Sequence, residues 1–430
     1  MRYLYSALLY TLLPFIVLRM LWRSRRAPAY RQHLAQRLAH FDVAARAALA
    51  TPAPTIWVHA VSVGEVLAAA PLVECLLRDW PDHRLVLTTT TPTGSERVRA
   101  LFGQRVLHVY APWDLPGAAR RFVQRIQPRL LLIMETELWP NMLHYTHRSG
   151  AAIVLANARL SQRSARGYAR VAILTRTMLQ QIDTVACQAP ADGERFLSLG
   201  LPPAALQVTG SIKFDLVLDD RQRALAFALR SDFNTDKRPV IVVASTHSGE
   251  DEIVLAAFAE VRKTQPDCLL VLVPRHPERF AQVHSLCLAE GWQVVRRSAG
   301  EPPGPRTAIV LGDTMGELLV LLGSASVAVI GGSLVPHGGH NMLEAAAWGV
   351  PVVTGPYLHN FEQISELLVD VGAMIRLEQP AALGRCLSHL LAAPQRLAQM
   401  GAAGRAAVAA NAGAQARLLQ VVADCLSGER

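Results

Sequence analysis

In the stretch VSVGEVLAAAPLV, residues 61 to 73, a glutamate stands at the mouth of an apolar run with helical spacing. Ser62 and Glu65 are three apart, the interval at which a cap residue and the first turn satisfy each other's exposed groups, and a carboxylate there also meets the positive end of the helix dipole. Glu65 therefore has two readings, a cap or a base placed to take a proton from something bound above it. Two further carboxylates, Glu135 and Glu137 in METELWPN, close a strand-like run and could equally cap the next turn; nothing local separates them. Positive charge recurs at comparable places, with Lys213 in SIKFD and Arg275 and His276 in VPRHPER. The stretch GGSLVPHGGHNMLEAAAWGVPVVTGP, 331 to 356, runs from a strand into a glycine-rich loop and a helix starting near Asn341. Exposed amides at such a helix start bind phosphate, and Glu344, one turn in, could reach ribose hydroxyls. His337 and His340 lack a third ligand, so no metal site is expected. Neither G-x-x-x-x-G-K-[ST] nor a strand-adjacent G-x-G-x-x-G occurs, which removes the usual support for ATPase and dinucleotide-oxidoreductase chemistry.

The elements that must position these groups are legible as alternation. Runs such as TIWVHAVS, RLVLTTTT, RVLHVYAP, RLLLIMETE, AAIVLANA and TVACQAP are separated by longer amphipathic stretches. Continuous apolar runs of this length read as buried parallel strands with helices on both faces. A second series begins at RPVIVVASTHS and continues through CLLVLVPRHP, WQVVRRS, TAIVLGDT, VAVIGGS, PVVTGP and AMIRL. The fold class expected is α/β, with two doubly wound Rossmann-like domains facing across a cleft and a boundary in the polar region 215–239. Nearly every polar cluster sits at the carboxyl end of a strand, where open α/β sheets bind ligands.

With 430 residues, 51% hydrophobic and 18% charged, the chain can bury two cores and is not expected to be disordered. A formal charge of +9 suits anionic partners such as phosphates, nucleotides or an acidic membrane surface. Six cysteines lie far apart without a C-x-x-C pair, so neither a disulfide framework nor a thiolate metal site is indicated and a reducing compartment fits.

Residues 3 to 22 are nearly all apolar, with Arg19 the only charge, and Arg23, Arg25 and Arg26 follow at once. This predicts a retained membrane anchor with the downstream chain in the cytoplasm, either spanning the bilayer or lying in one leaflet. Arg159, Arg163, Arg166 and Arg170 recur at i, i+4, i+7 and i+11, one basic stripe if helical, with no acid between Leu160 and Ile182. Contact with lipid phosphates or the anionic leaflet is expected there.

The glycine-rich region resembles the nucleotide-binding domain of GT-B glycosyltransferases. Taken with VSVGE, METELWPN, NARLS, SIKFD, STHSGE, VPRHPER and GDTMGEL, the whole chain resembles the Kdo transferase family of lipopolysaccharide synthesis. That resemblance implies transfer of 3-deoxy-D-manno-octulosonic acid (Kdo) from CMP-Kdo to a phosphorylated lipid A precursor at the inner membrane, with inversion, without a metal at the catalytic centre and without a cofactor; no D-x-D occurs here either. It implies Glu65 as general base, and Glu135 and Lys213 as residues steadying the transition state. The implied CMP contacts are Pro274, Arg275, Met315, Gly316, Glu317, Asn341, Met342, Leu343 and Glu344. The expected layout is an anchor over 1–28, an acceptor domain over 29–225 and a donor domain over 226–430, with no nucleic-acid partner. A UDP-sugar enzyme of the same fold, or a membrane-tethered sugar-nucleotide binding protein without activity, is the alternative.

Overall fold

Buried on both faces, a run such as Leu130 to Met134 sends alternate side chains into two different cores, which is what a central parallel strand requires. The computed structural model describes residues 1–25, 28–31 and 33–428, so Arg26 lies outside the described residues. Among them the chain forms two compact units, Met1–Lys213 with Gly413–Arg430, and Phe214–Ala412.

The first unit is built on strands β1 (Thr55–His59), β2 (Arg84–Thr89), β3 (Leu107–Tyr110), β4 (Pro128–Met134), β5 (Ala152–Ala158), β6 (Thr184–Cys187) and β7 (Leu206–Val208). They run parallel in the order β3-β2-β1-β4-β5-β6-β7. Trp57, Phe122, Leu131 and Phe196 fill the core on one face; Val58, Leu72, Leu132 and Val154 fill the other. The second unit repeats the plan with β8 (Val240–Thr246), β9 (Leu269–Pro274), β10 (Val294–Arg296), β11 (Ile309–Leu311), β12 (Val327–Ile330), β13 (Val352–Thr354) and β14 (Met374–Arg376). Its order is β10-β11-β9-β8-β12-β13-β14, again all parallel. Each expected strand is present; β7 is an addition, a three-residue edge strand whose last two residues are exposed and so carry no continuous apolar signal.

Two boundaries differ from the sequence reading. Helix Asp220–Asp232, closed by a capping box between Asp219 and Gln222, packs Ala226 and Leu229 into the second unit's core, so a division at 225/226 would cut it; the units part at Lys213 and Phe214. Conversely, the last helix, Ala414–Ser427, belongs to the first unit. Its stripe of Leu418, Val421, Val422 and Leu426 joins the core beside Val58 and Leu132, and Arg417 Nε donates to the Thr209 carbonyl at 2.7 Å.

The N-terminal helix, Arg2–Arg23, is long and apolar enough to cross a membrane. Its 22 residues span about 33 Å against a hydrocarbon core of about 30 Å. One edge is tied to the first unit: Arg2 Nη1 donates to Asn141 Oδ1 at 2.9 Å, and the Asn141 amide donates to Ser6 Oγ at 3.1 Å. The other side leaves Tyr3, Leu4, Leu8, Phe15, Leu18 and Trp22 exposed.

Candidate active site and nucleotide-binding loops

Glu65 sits in the first turn of helix Val63–Asp79, which follows β1. Ser62 caps that helix by accepting from the Glu65 amide, while the Glu65 carboxylate accepts from the Val61 N–H at 2.8 Å and the Ser62 hydroxyl at 2.9 Å. The cap and the carboxylate are thus one device. Burial pushes the Glu65 carboxyl up to about 7; the two hydrogen bonds oppose this, and the nearby charges of Glu137 and Glu135 add to it. A carboxylate poised there can accept a proton near neutral pH.

Glu135 and Glu137 follow β4, and the structure separates them. Trp139 Nε1 donates to Glu137 Oε2 at 2.9 Å, and burial first, then Glu135, raises the Glu137 carboxyl. Glu135 makes no side-chain hydrogen bond among the described residues and holds φ of +56°, left-handed backbone that costs a non-glycine residue about 1 kcal/mol or more and concentrates at functional sites. Lys213, in the turn Ile212–Phe214, lies within electrostatic reach of Glu135. Burial lowers its ammonium, Glu135 opposes that, and Arg159 adds to it. Glu65, Glu135, Glu137 and Lys213 therefore form one group at the strand ends of the first unit.

The basic stripe takes a different form from the one expected. Helix Gln162–Ala169 carries Arg163 and Arg166, both exposed, with Arg170 as its C-cap. Arg159 precedes the helix, because Ser161 caps it by accepting from the Ser164 amide at 3.1 Å; Arg159's carbonyl accepts from the Thr136 hydroxyl.

In the second unit Pro274 ends β9, and the Arg275 N–H donates to the Thr246 carbonyl at 3.0 Å, aligning the loops after β8 and β9. Asn341 Nδ2 donates to Glu344 Oε1 at 3.1 Å, and Arg275 acts on the same carboxyl; burial still raises Glu344 overall. Met342 and Leu343 precede or open the short helix Leu343–Trp348, and their side chains are fully buried in the core, so of these two expected contacts only backbone can face a ligand. Met315 is exposed after β11, and Gly316 takes φ of +83°, which a Cβ would strain. Glu317 is fixed by a bidentate pair with Arg297 at 3.0 and 3.1 Å, which holds its carboxyl below the usual range.

Sequence reasoning missed two features here. Glu250, fully buried, accepts from the amides of His247 at 2.8 Å, Gly332 at 2.7 Å and Leu334 at 2.9 Å, so one carboxylate pins the glycine-rich loop to the loop after β8. The only local signal was its place in STHSGE. His247 also stacks on His337, at 4.1 Å between ring centroids, and meets His340 edge to edge, its Nε2 2.8 Å from His340 Nε2. Burial first, then neighbouring positive groups, lowers both His247 and His340 to about 4, so this pair is uncharged at neutral pH.

Two doubly wound units, each on an all-parallel sheet with polar clusters at its strand ends, define the GT-B fold class. A glycosyltransferase from Rickettsia africae shares this fold, with a TM-score of 0.56 and 14% identity over 87% of this chain and 99% of that one. The family model for 3-deoxy-D-manno-octulosonic-acid transferase (kdotransferase) matches residues 32–216. Over 422 residues the chain is 43% identical to the 3-deoxy-D-manno-octulosonic acid transferase of Haemophilus influenzae, covering 98% of each. It is 39% identical over 435 residues to that of Bordetella pertussis, covering 99% of each. The chain belongs to the 3-deoxy-D-manno-octulosonic acid transferase family, and it is a glycosyltransferase.

Proposed function

We propose that this Kdo transferase moves Kdo from CMP-Kdo to a phosphorylated lipid A precursor, with inversion, at the cytoplasmic face of an inner membrane. The observation that carries the mechanism is Glu65, a carboxylate held by two hydrogen bonds beside two other carboxylates, its carboxyl pushed up to about 7 by burial. The acceptor hydroxyl oxygen bonds to the anomeric carbon of Kdo while its proton passes to Glu65. The bond from that carbon to the CMP phosphate oxygen breaks, and the electron pair leaves with the phosphate. Glu135 faces the developing positive charge of the sugar, and Lys213 offsets the crowding of carboxylates. Arg275, with Asn341 and Glu344 and the backbone from Gly338 to Leu343, receives the nucleotide. The reading needs no metal at the reacting centre, because the positive charge that meets the departing phosphate comes from side chains. Arg25, following the N-terminal helix, and exposed Arg163 and Arg166 suit the phosphates of the acceptor or the anionic leaflet.

The test uses full-length wild type and Glu65→Gln with CMP-Kdo and a tetra-acylated, bisphosphorylated disaccharide, reading glycolipid mass and CMP release. Wild type adds Kdo, and the folded variant loses about 10²- to 10⁴-fold in turnover, the range of a general base. A Glu65→Gln protein as active as wild type would remove Glu65 as the base. Turnover with UDP-sugars but not CMP-Kdo would overturn the donor.

A further inference from the structure

A cavity of about 220 Å³ lies where the N-terminal helix meets the rest of the first unit. Leu9, Leu13 and Ile16 form one wall, and Trp113, Leu115 and Trp139 form the other. Its one acidic neighbour, Asp114, is already occupied. The Asp114 carboxylate accepts from the Asn141 amide at 3.0 Å, the Met142 amide at 2.7 Å and the Tyr5 hydroxyl, so it offers little to a polar guest. Pockets that enclose a whole small-molecule ligand measure about 300–1,000 Å³. This one suits an apolar guest smaller than that, such as a segment of a single hydrocarbon chain.

Two further observations say whose chain it is. First, Trp139 lines the cavity and its Nε1 donates to Glu137, which in turn acts on Glu65; the cavity and the proposed catalytic carboxylates share this one residue. Tyr168, on the helix that exposes Arg163 and Arg166, lies in the field of the same Glu137. The carboxylates thus have an apolar cavity against one neighbour and a cationic helix against another, the pairing that an amphiphile with hydrocarbon tails and phosphates on its sugar would meet. Second, the helix that makes one cavity wall turns its other side outward with Leu4 at 66% and Leu8 at 56% exposure.

We propose that the cavity holds part of one acyl chain of the acceptor lipid while its sugar head lies at Glu65, so that the membrane anchor is also a wall of the acceptor site. This rests on the lipid-acceptor reading above. The experiment uses the full-length protein in phospholipid vesicles and acceptors with the same bisphosphorylated head but acyl chains of decreasing length. For wild type, kcat/KM falls once the acyl chain is too short to reach the cavity, by less than the about fourfold per methylene of transfer from water, because the competing bilayer is as apolar as the cavity. Leu13→Trp, which fills the cavity, flattens that dependence and raises KM for the long-chain acceptor while KM for CMP-Kdo stays put. An acceptor bearing a diazirine at its chain end labels wild type within residues 9–16 or at Trp113, a readout that needs no variant. Equal chain-length dependence in wild type and Leu13→Trp, or labelling of the cavity by a diazirine phospholipid that excess acceptor does not displace, would overturn the proposal. Transfer only to a lipid-free sugar would instead refute the lipid-acceptor reading itself.

Discussion

Removing the Ser62 hydroxyl separates the helix cap from the base proposed for Glu65. That hydroxyl donates to the ionised carboxylate at 2.9 Å, and hydrogen bonds to charged groups contribute about 1.5–3 kcal/mol. At about 1.4 kcal/mol per pKa unit, Ser62→Ala raises the carboxyl by about 1–2 units from its starting value near 7. Wild type is then about half ionised at pH 7, and the variant about a tenth to a hundredth, so kcat/KM at pH 7 falls about 5- to 50-fold. The sign is fixed by chemistry: the base works ionised, activity rises with pH through the folded value, and the loss is recovered above about pH 9. Stability moves in the matching direction. Because the folded value lies above that of the unfolded chain, ionisation of Glu65 costs stability as pH climbs from the ordinary carboxylate range through 7, and losing a donor to the charged form enlarges that cost. Ser62→Ala therefore unfolds at a lower temperature than wild type by a wider margin at pH 8 than at pH 4. The assay is the pH profile of CMP release under limiting acceptor, with thermal unfolding at both pH values. An acid limb that does not move, with a uniform loss at every pH, would show that Ser62 only caps the helix and that Glu65 is not the group whose ionisation is read.

Two predictions concern the second unit. Glu250→Ala leaves the amides of His247, Gly332 and Leu334 without their acceptor, and at about 1–3 kcal/mol for each buried unsatisfied group the loss is at least about 3 kcal/mol, measurable as an earlier denaturant midpoint. Protection by CMP against unfolding is lost with it, since the same carboxylate positions the glycine-rich loop. Arg275→Gln raises KM for CMP-Kdo by roughly 10- to 150-fold, the equivalent of one charged hydrogen bond to phosphate, while KM for the acceptor is unchanged; equal effects on both would place Arg275 outside the nucleotide site.

The strands were legible because a parallel sheet covered on both faces demands continuous apolar runs, and runs such as RLLLIME satisfy that requirement over their whole length. The short edge strand β7 was not, because two of its three residues face solvent. At the site, Ser62 and Glu65 announced themselves by spacing alone, and the hydrogen bonds follow that spacing. Glu135 and Glu137 could not be told apart in sequence, since what distinguishes them is a left-handed backbone at one and an indole two residues on at the other. The buried Glu250 and the stacked His247 were hidden for a different reason. Apart from the His247 amide beside Glu250, their partners lie more than eighty residues away, and only the ordering of β8 beside β12 brings them together.

The return of the last helix to the first unit has a consequence for how the protein is made. One core of the first sheet is completed by Leu418, Val421, Val422 and Leu426, yet these residues follow the entire second unit. During synthesis, at about 5–20 residues per second, roughly two hundred residues must be added after Lys213 before that helix exists, a wait of about 10–40 s. Throughout that interval an apolar face around Val58, Leu132 and Val154 lacks part of its cover on a chain that already carries the apolar N-terminal helix. The second unit, continuous from Phe214 to Ala412, faces no such delay. The nascent first unit is thus the stage at which a chaperone would be most needed, and deletion of the final helix would leave that need permanent.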